Sequence, residues 1–298
     1  MRTIVINQNN LIQDGTNSRL VYKFPNSVLF KNNSIAVSSI SLYYSWFNIT
    51  ASFANNVFFY TWTVLGVTTT YTVTIPDGLY EIDQLNAYLQ YVMITNGHYL
   101  VDSTGLNVYY IEMVVNPARY AIQLNTFLIP TSLPATYVQP GNFAGYPTTT
   151  QNSVVTIPSA FSNIVGYVAG FVTNDNLGNA YVPPVSNYES KLANGTLSYL
   201  STVSPNVQPN SSVYLSISNI NNPYSQPSSI IYAMSPNATP GALIIDRPPN
   251  YSFNKLIDGT YSELRLSFLG TDLQPLIIND PQLTILLVIK DSDEIGIK

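Results

Sequence analysis

The chain has 298 residues, enough for one large domain or two modest ones. Only 9% of them are charged, against roughly 25% in an ordinary soluble domain, while 12% are aromatic, with 23 Tyr, one His, no Cys and a net charge of −5. That inventory excludes disulfide scaffolds, thiolate nucleophiles, iron–sulfur clusters and His-rich metal sites, and it leaves too few cations, nowhere in a run, for a nucleic-acid surface.

At the N-terminus, Asn7, Gln8, Asn9 and Asn10 interrupt the apolar stretch before a signal-peptide core could form, so synthesis in a reducing cytoplasm is expected. The apolar runs, of which Ile230–Met234 and Ile285–Ile289 are the longest, are too short for a membrane span. Asn32, Asn48, Asn194, Asn210, Asn237 and Asn250 fit the glycosylation pattern, as chance allows in so Asn-, Ser- and Thr-rich a chain.

The dominant period is two, which places successive side chains on opposite faces of a strand. Strands are expected at Leu20–Phe24, over Ser34 to Trp46, at Val57–Val64 and at Thr69–Ile75, all rich in β-branched and aromatic residues. Strict alternation from Ser34 to Trp46 would put Ile35, Val37, Ser39, Ser41, Tyr43 and Ser45 on one face. Ala36, Ser38, Ile40, Leu42, Tyr44 and Trp46 would then take the other.

The period changes once. Ile82, Leu85, Leu89, Val92 and Met93 fall at helical spacing, with Asp83 in the first turn and Asn96-Gly97 as the stop. An amphipathic helix capping one end of the β core is the expectation. Further strands are expected at Val108–Val114, Tyr120–Leu124, Ser153–Ile157, Val213–Ile217, Ile230–Ala233, Leu264–Phe268 and Leu283–Ile289. Pro117, Pro223, Pro248-Pro249 and Pro281 mark turns between them. Between Pro130 and Pro209 prolines crowd the chain, and residues 130–206 are expected to form a loop-rich insertion. Many short strands punctuated by Pro, Gly and Asn predict an all-β sandwich or barrel.

Chemistry has few places to sit. His98 follows Asn96-Gly97 in a turn, and no Gly-x-Ser-x-Gly elbow, P-loop or Gly-x-Gly-x-x-Gly run occurs. Asp77, Glu81 and Asp83 cluster around a turn and a helix start, where the helix dipole favours acids. Asp291, Asp293 and Glu294 lie in a polar tail, and Asp175 between Asn174 and Asn176 lacks the spacing of a calcium loop. Neither catalytic, cofactor-binding nor metal-ligating residues are assigned, no cofactor is expected, and the chain is not expected to be an enzyme.

The run Ser39-Ile40-Ser41-Leu42-Tyr43-Tyr44-Ser45-Trp46-Phe47-Asn48-Ile49, then Ile75-Pro76-Asp77-Gly78-Leu79-Tyr80 leading into the helix, resembles the penton (minor capsid) proteins of virophages and polinton-like viruses. So do Ile157-Pro158-Ser159 with Gly166-Tyr167, Ser211-Ser212-Val213 with Asn219 to Asn222, and the closing stretch around Pro275 to Pro281. The resemblance implies an all-β single jelly roll spanning 1–298, two antiparallel sheets with Greek-key connections, one amphipathic helix and long loop insertions. It also implies a virion protein forming homopentamers at icosahedral five-fold vertices and contacting a major capsid protein with a double jelly roll. A stretch such as 130–206 would then reach a host or helper-virus receptor. The residues leave open a carbohydrate-binding jelly roll, lectin-like or used in host attachment, because exposed Tyr and Trp stack on sugar rings as readily as they anchor interfaces.

Overall fold

The computed structural model describes residues 1–52, 55–156, 196–201, 204–208 and 210–291. The chain divides into two compact units, Met1–Trp46 with Pro209–Lys298, and Phe47–Gln208 between them in sequence.

In chain order the first unit begins with β1 (Arg2–Asn7), β2 (Arg19–Phe30) and β3 (Ser34–Tyr43). The second contains β4 (Val57–Val64), β5 (Val67–Thr74), α1 (Ile82–Asn96), β6 (Tyr99–Val101), β7 (Asn107–Tyr109), β8 (Ile111–Asn116), β9 (Ala121–Thr126), β10 (Val155–Thr156) and β11 (Leu197–Leu200). The first unit resumes with β12 (Val213–Ile217), β13 (Ile230–Met234), β14 (Leu243–Asp246), β15 (Asn254–Lys255), β16 (Gly259–Leu269) and β17 (Leu283–Lys290).

The pairing of the first unit is diagnostic. One sheet runs β1-β17-β3-β14, with β15 added beside β3, and the other runs β13-β12-β16-β2. All of these pairs are antiparallel. Leaving out the two-residue β15, the strands taken in chain order as first to eighth give sheets 1-8-3-6 and 5-4-7-2. That interleaving of two Greek keys is the jelly roll. Its core comes from one face of each sheet: Ile4 and Ile6, Ile40 and Leu42, Ile285 and Leu287 from one, and Leu20, Leu215, Leu264, Leu266 and Phe268 from the other, all buried.

One face assignment is corrected. Leu286 pairs with Ser39 but Leu287 pairs with Val37, so Ser38 is an extra residue in β3. A bulge shifts the side-chain phase by one residue. Ile35 and Val37 therefore share the core face with Ile40 and Leu42, and strict alternation fails at Ser38. The reason is burial: without the bulge, one of the two apolar pairs would face outward.

The second unit is built from the sheet β10-β4-β5, the sheet β11-β9-β8, the hairpin β6-β7 and α1. The helix forms as its spacing predicts, burying Ile82, Leu85, Leu89 and Met93, with the Glu81 N–H donating to Gln84 Oε1 at 2.9 Å at its start. It packs on β8 inside the second unit, and the Met113 N–H donates to Asn86 Oδ1 at 2.8 Å. The second unit, Phe47–Gln208, contains the 130–206 stretch marked out by proline density. Of that stretch, residues 157–195 lie outside the described residues, and residues 130–154 are mostly irregular.

Gly97 ends α1 in the left-handed region at φ 72°, and the His98 N–H returns to the Met93 carbonyl at 2.8 Å. A Cβ there would collide with the Asn142 carbonyl. Gly97→Ala is therefore expected to cost more than about 1 kcal/mol, seen as a lower urea midpoint for unfolding.

Candidate functional site

His98 is not placed to act on a substrate. The ring is fully buried and lies stacked on Trp62 with centroids 4.5 Å apart, edge-on to Tyr71 at 4.4 Å. Its Nδ1 is 2.7 Å from the Tyr60 hydroxyl, which also accepts from Asn96 Nδ2 at 3.1 Å. Burial pulls the imidazole down to about 4, and burial, aided by the Tyr71 phenol and opposed by the Asn96 hydrogen bond, pushes the Tyr60 phenol up to about 12. Both groups are neutral at pH 7, as an apolar core requires.

Asp77, Glu81 and Asp83 are all exposed, and Asp77 accepts from the Ala51 N–H at 2.7 Å as part of a turn. Asp291 accepts from Asn33 Nδ2 and pairs with Arg2 at 3.4 Å. Asp175 with its flanking asparagines, Asp293, Glu294 and Asn194 lie outside the described residues. Among the described residues, no group of three or more His, Cys, Asp or Glu could hold a metal ion, and no helix is long and apolar enough to cross a membrane. Asn48 is buried, with its amide spent on the Tyr80 and Val207 carbonyls and the Tyr80 N–H, so that glycosylation pattern is occupied by structure.

What distinguishes the jelly roll is a contrast between its two outer faces. The register of β16 with β2 places Lys23 opposite Glu263 and Val21 opposite Arg265, with Arg19 beside them. That face is charged, and Arg265 and Glu263 pair at 2.7 Å. On the other sheet the outward residues are Thr3, Val5 and Asn7 of β1, Thr284, Leu286 and Val288 of β17, Ser39, Ser41 and Tyr43 of β3, and Leu243 and Ile245 of β14. None of these carries a charge, although Lys290 continues the same side of β17 and Arg247 borders the face. Val5, Leu243 and Ile245 are exposed by 52%, 45% and 58%. Two shallow concavities of about 380 and 580 Å³ lie on this face, the second bounded by the Arg247–Tyr251 segment.

Hydroxyl and amide groups interleaved with exposed aliphatics, with charge confined to the border, suit burial against another protein surface, since charge is depleted at interface cores. The sequence carried the low charge but not its location, because the outward set depends on strand register and on the bulge at Ser38.

No family model matches the chain, and no curated protein matches it. Solved structures similar to it include the crystal structure of the selenomethionine-labelled mavirus penton protein, at 11% identity over 97% of each chain, with a TM-score of 0.43. A second is a chain of the Sputnik virophage structure obtained by cryo-electron microscopy at 3.5 Å, at 11% identity over 98% of this chain and 99% of that one, with a TM-score of 0.38.

Proposed function

We propose that this chain is a structural virion protein: a penton subunit that assembles as a homopentamer at the five-fold vertices of an icosahedral capsid and meets a double-jelly-roll major capsid protein there. The observation that carries this reading is the sparsely charged outer face of the sheet β1-β17-β3-β14, with Val5, Leu243 and Ile245 exposed on a jelly roll and charge only at its border, at Lys290 and Arg247. The resemblance of the sequence segments to the penton family supports the same reading. A ring of identical copies closes through heterologous contacts, one face of each subunit packing on a different face of the next. A sparsely charged face is the one such a contact desolvates at least cost. The function is assembly rather than catalysis, the location is the virion after synthesis in host cytoplasm, and the inserted unit is the part proposed to meet a host or helper-virus receptor.

The test is the mass of the purified protein by light scattering, alone and mixed with its major capsid protein. The expected particle is five times the 32.9 kDa of one chain. Val5→Asp with Ile245→Asp is expected to reduce it to monomers with an unchanged far-ultraviolet circular dichroism spectrum. Monomers of the unaltered protein in both samples would overturn the vertex reading.

A further inference from the structure

The inserted unit contains a cavity of about 780 Å³ beside β7 and the start of β8, with Tyr109, Phe127, Tyr137, Asn107, Glu112 and Tyr110 in its lining. That volume lies within the range of about 300–1,000 Å³ usual for small-molecule sites. Among the described residues no Lys, Arg or His lines it, so those residues offer an anionic ligand no counter-charge. Its polar groups are only partly used. Glu112, half-buried, accepts from Asn125 Nδ2 at 2.8 Å and enters none of the ion pairs among the described residues. An ionised carboxylate has about four acceptor positions, so most of its capacity is free. Asn107 donates from Nδ2 to the Tyr109 hydroxyl at 3.1 Å, and no further side-chain bond is made among the described residues. Tyr110 is 4% exposed as a residue, but its hydroxyl reaches solvent and makes no hydrogen bond among the described residues.

We propose that this cavity binds a neutral saccharide unit. Sugar rings present an apolar C–H face and a rim of hydroxyls, and this lining offers both complements. Aromatic faces stack on the ring. Glu112 accepts from hydroxyls, and Tyr110 and Asn107 supply a donor and an acceptor. An alkylammonium ion would also suit aromatics around a carboxylate. Such a cation only donates, however, and would leave the Tyr110 hydroxyl and the Asn107 amide hydrogen without a partner. The site lies within the inserted unit and stands whether or not the chain forms pentamers.

The experiment is saturation-transfer NMR on the full chain with the methyl glycosides of glucose, galactose, mannose and N-acetylglucosamine, each at millimolar concentration. Transfer to the ring protons of at least one glycoside is expected. Tyr109→Ala should abolish it, and Glu112→Gln should weaken binding roughly tenfold by removing a charge-assisted acceptor. Thermal melts and circular dichroism establish that both variants are folded. Absence of transfer from all four glycosides, transfer unchanged in both folded variants, or displacement of the glycoside by tetramethylammonium would each overturn the proposal.

Discussion

Trp62→Ala is expected to destabilise the inserted unit by about 3–5 kcal/mol, the usual range for removing a large buried aromatic. Trp62 is 1% exposed, and several contacts fix it, including Phe143 edge-on at 6.4 Å. Its Nε1 donates to the Gly145 carbonyl at 3.2 Å, its ring stacks on His98, and Tyr110 meets it edge-on at 5.7 Å. Truncation would leave a cavity in the cluster formed by β4, β5, α1, β8 and β9, and the Gly145 carbonyl would lose its donor. Urea unfolding followed by circular dichroism measures the loss. A change below about 1 kcal/mol would mean that the cluster collapses onto the space, contrary to the close packing of protein interiors. The same substitution opens His98 to water, so its pKa should move back from about 4 toward 6.5.

The second large effect is acid destabilisation through His98. Above pH 6.5 the imidazole is neutral in both the folded and the unfolded chain and contributes no pH dependence. As pH falls from 6.5 to about 4, the unfolded chain takes up a proton that the buried ring does not. Stability therefore decreases across that window, by about 3 kcal/mol in total at 1.36 kcal/mol per unit, and the decrease levels off below the folded-state value. His98→Phe keeps the stack on Trp62 and removes the titration, at the cost of the bond with the Tyr60 hydroxyl. The variant should be less stable at pH 7 yet lose less on going to pH 4. Parallel pH profiles for the two proteins would show that His98 is not the group responsible.

Both effects reside in residues that the sequence displays but does not rank. His98 reads as an ordinary turn residue because it follows Asn96-Gly97. It is buried because the chain, turning at Gly97, delivers it beneath Trp62 and Tyr60, which come from a strand more than thirty residues earlier. The carboxylate clusters show the opposite case. Their positions at a turn, a helix start and a tail gave reason enough to expect solvated charge, and Asp77, Glu81 and Asp83 are exposed.

The sequence by itself determined what depends on local pattern. Period-two runs of β-branched and aromatic residues specify strands, the 3.6-residue stripe from Ile82 to Met93 specifies the helix, and the scarcity of charge specifies a surface suited to being covered. Two strands of the jelly roll escaped that reading. β1 and β14 are the edge strands of one of its two sheets, paired on one side only. Tertiary structure alone decided the rest. Strand order, the bulge at Ser38, the start of the inserted unit at Phe47 and the grouping of Tyr109, Tyr110, Glu112 and Tyr137 around one cavity all depend on contacts between residues far apart in the chain. Local periodicity carries no information about which distant segment closes such a contact, because that choice follows from burying the apolar face of each element against another.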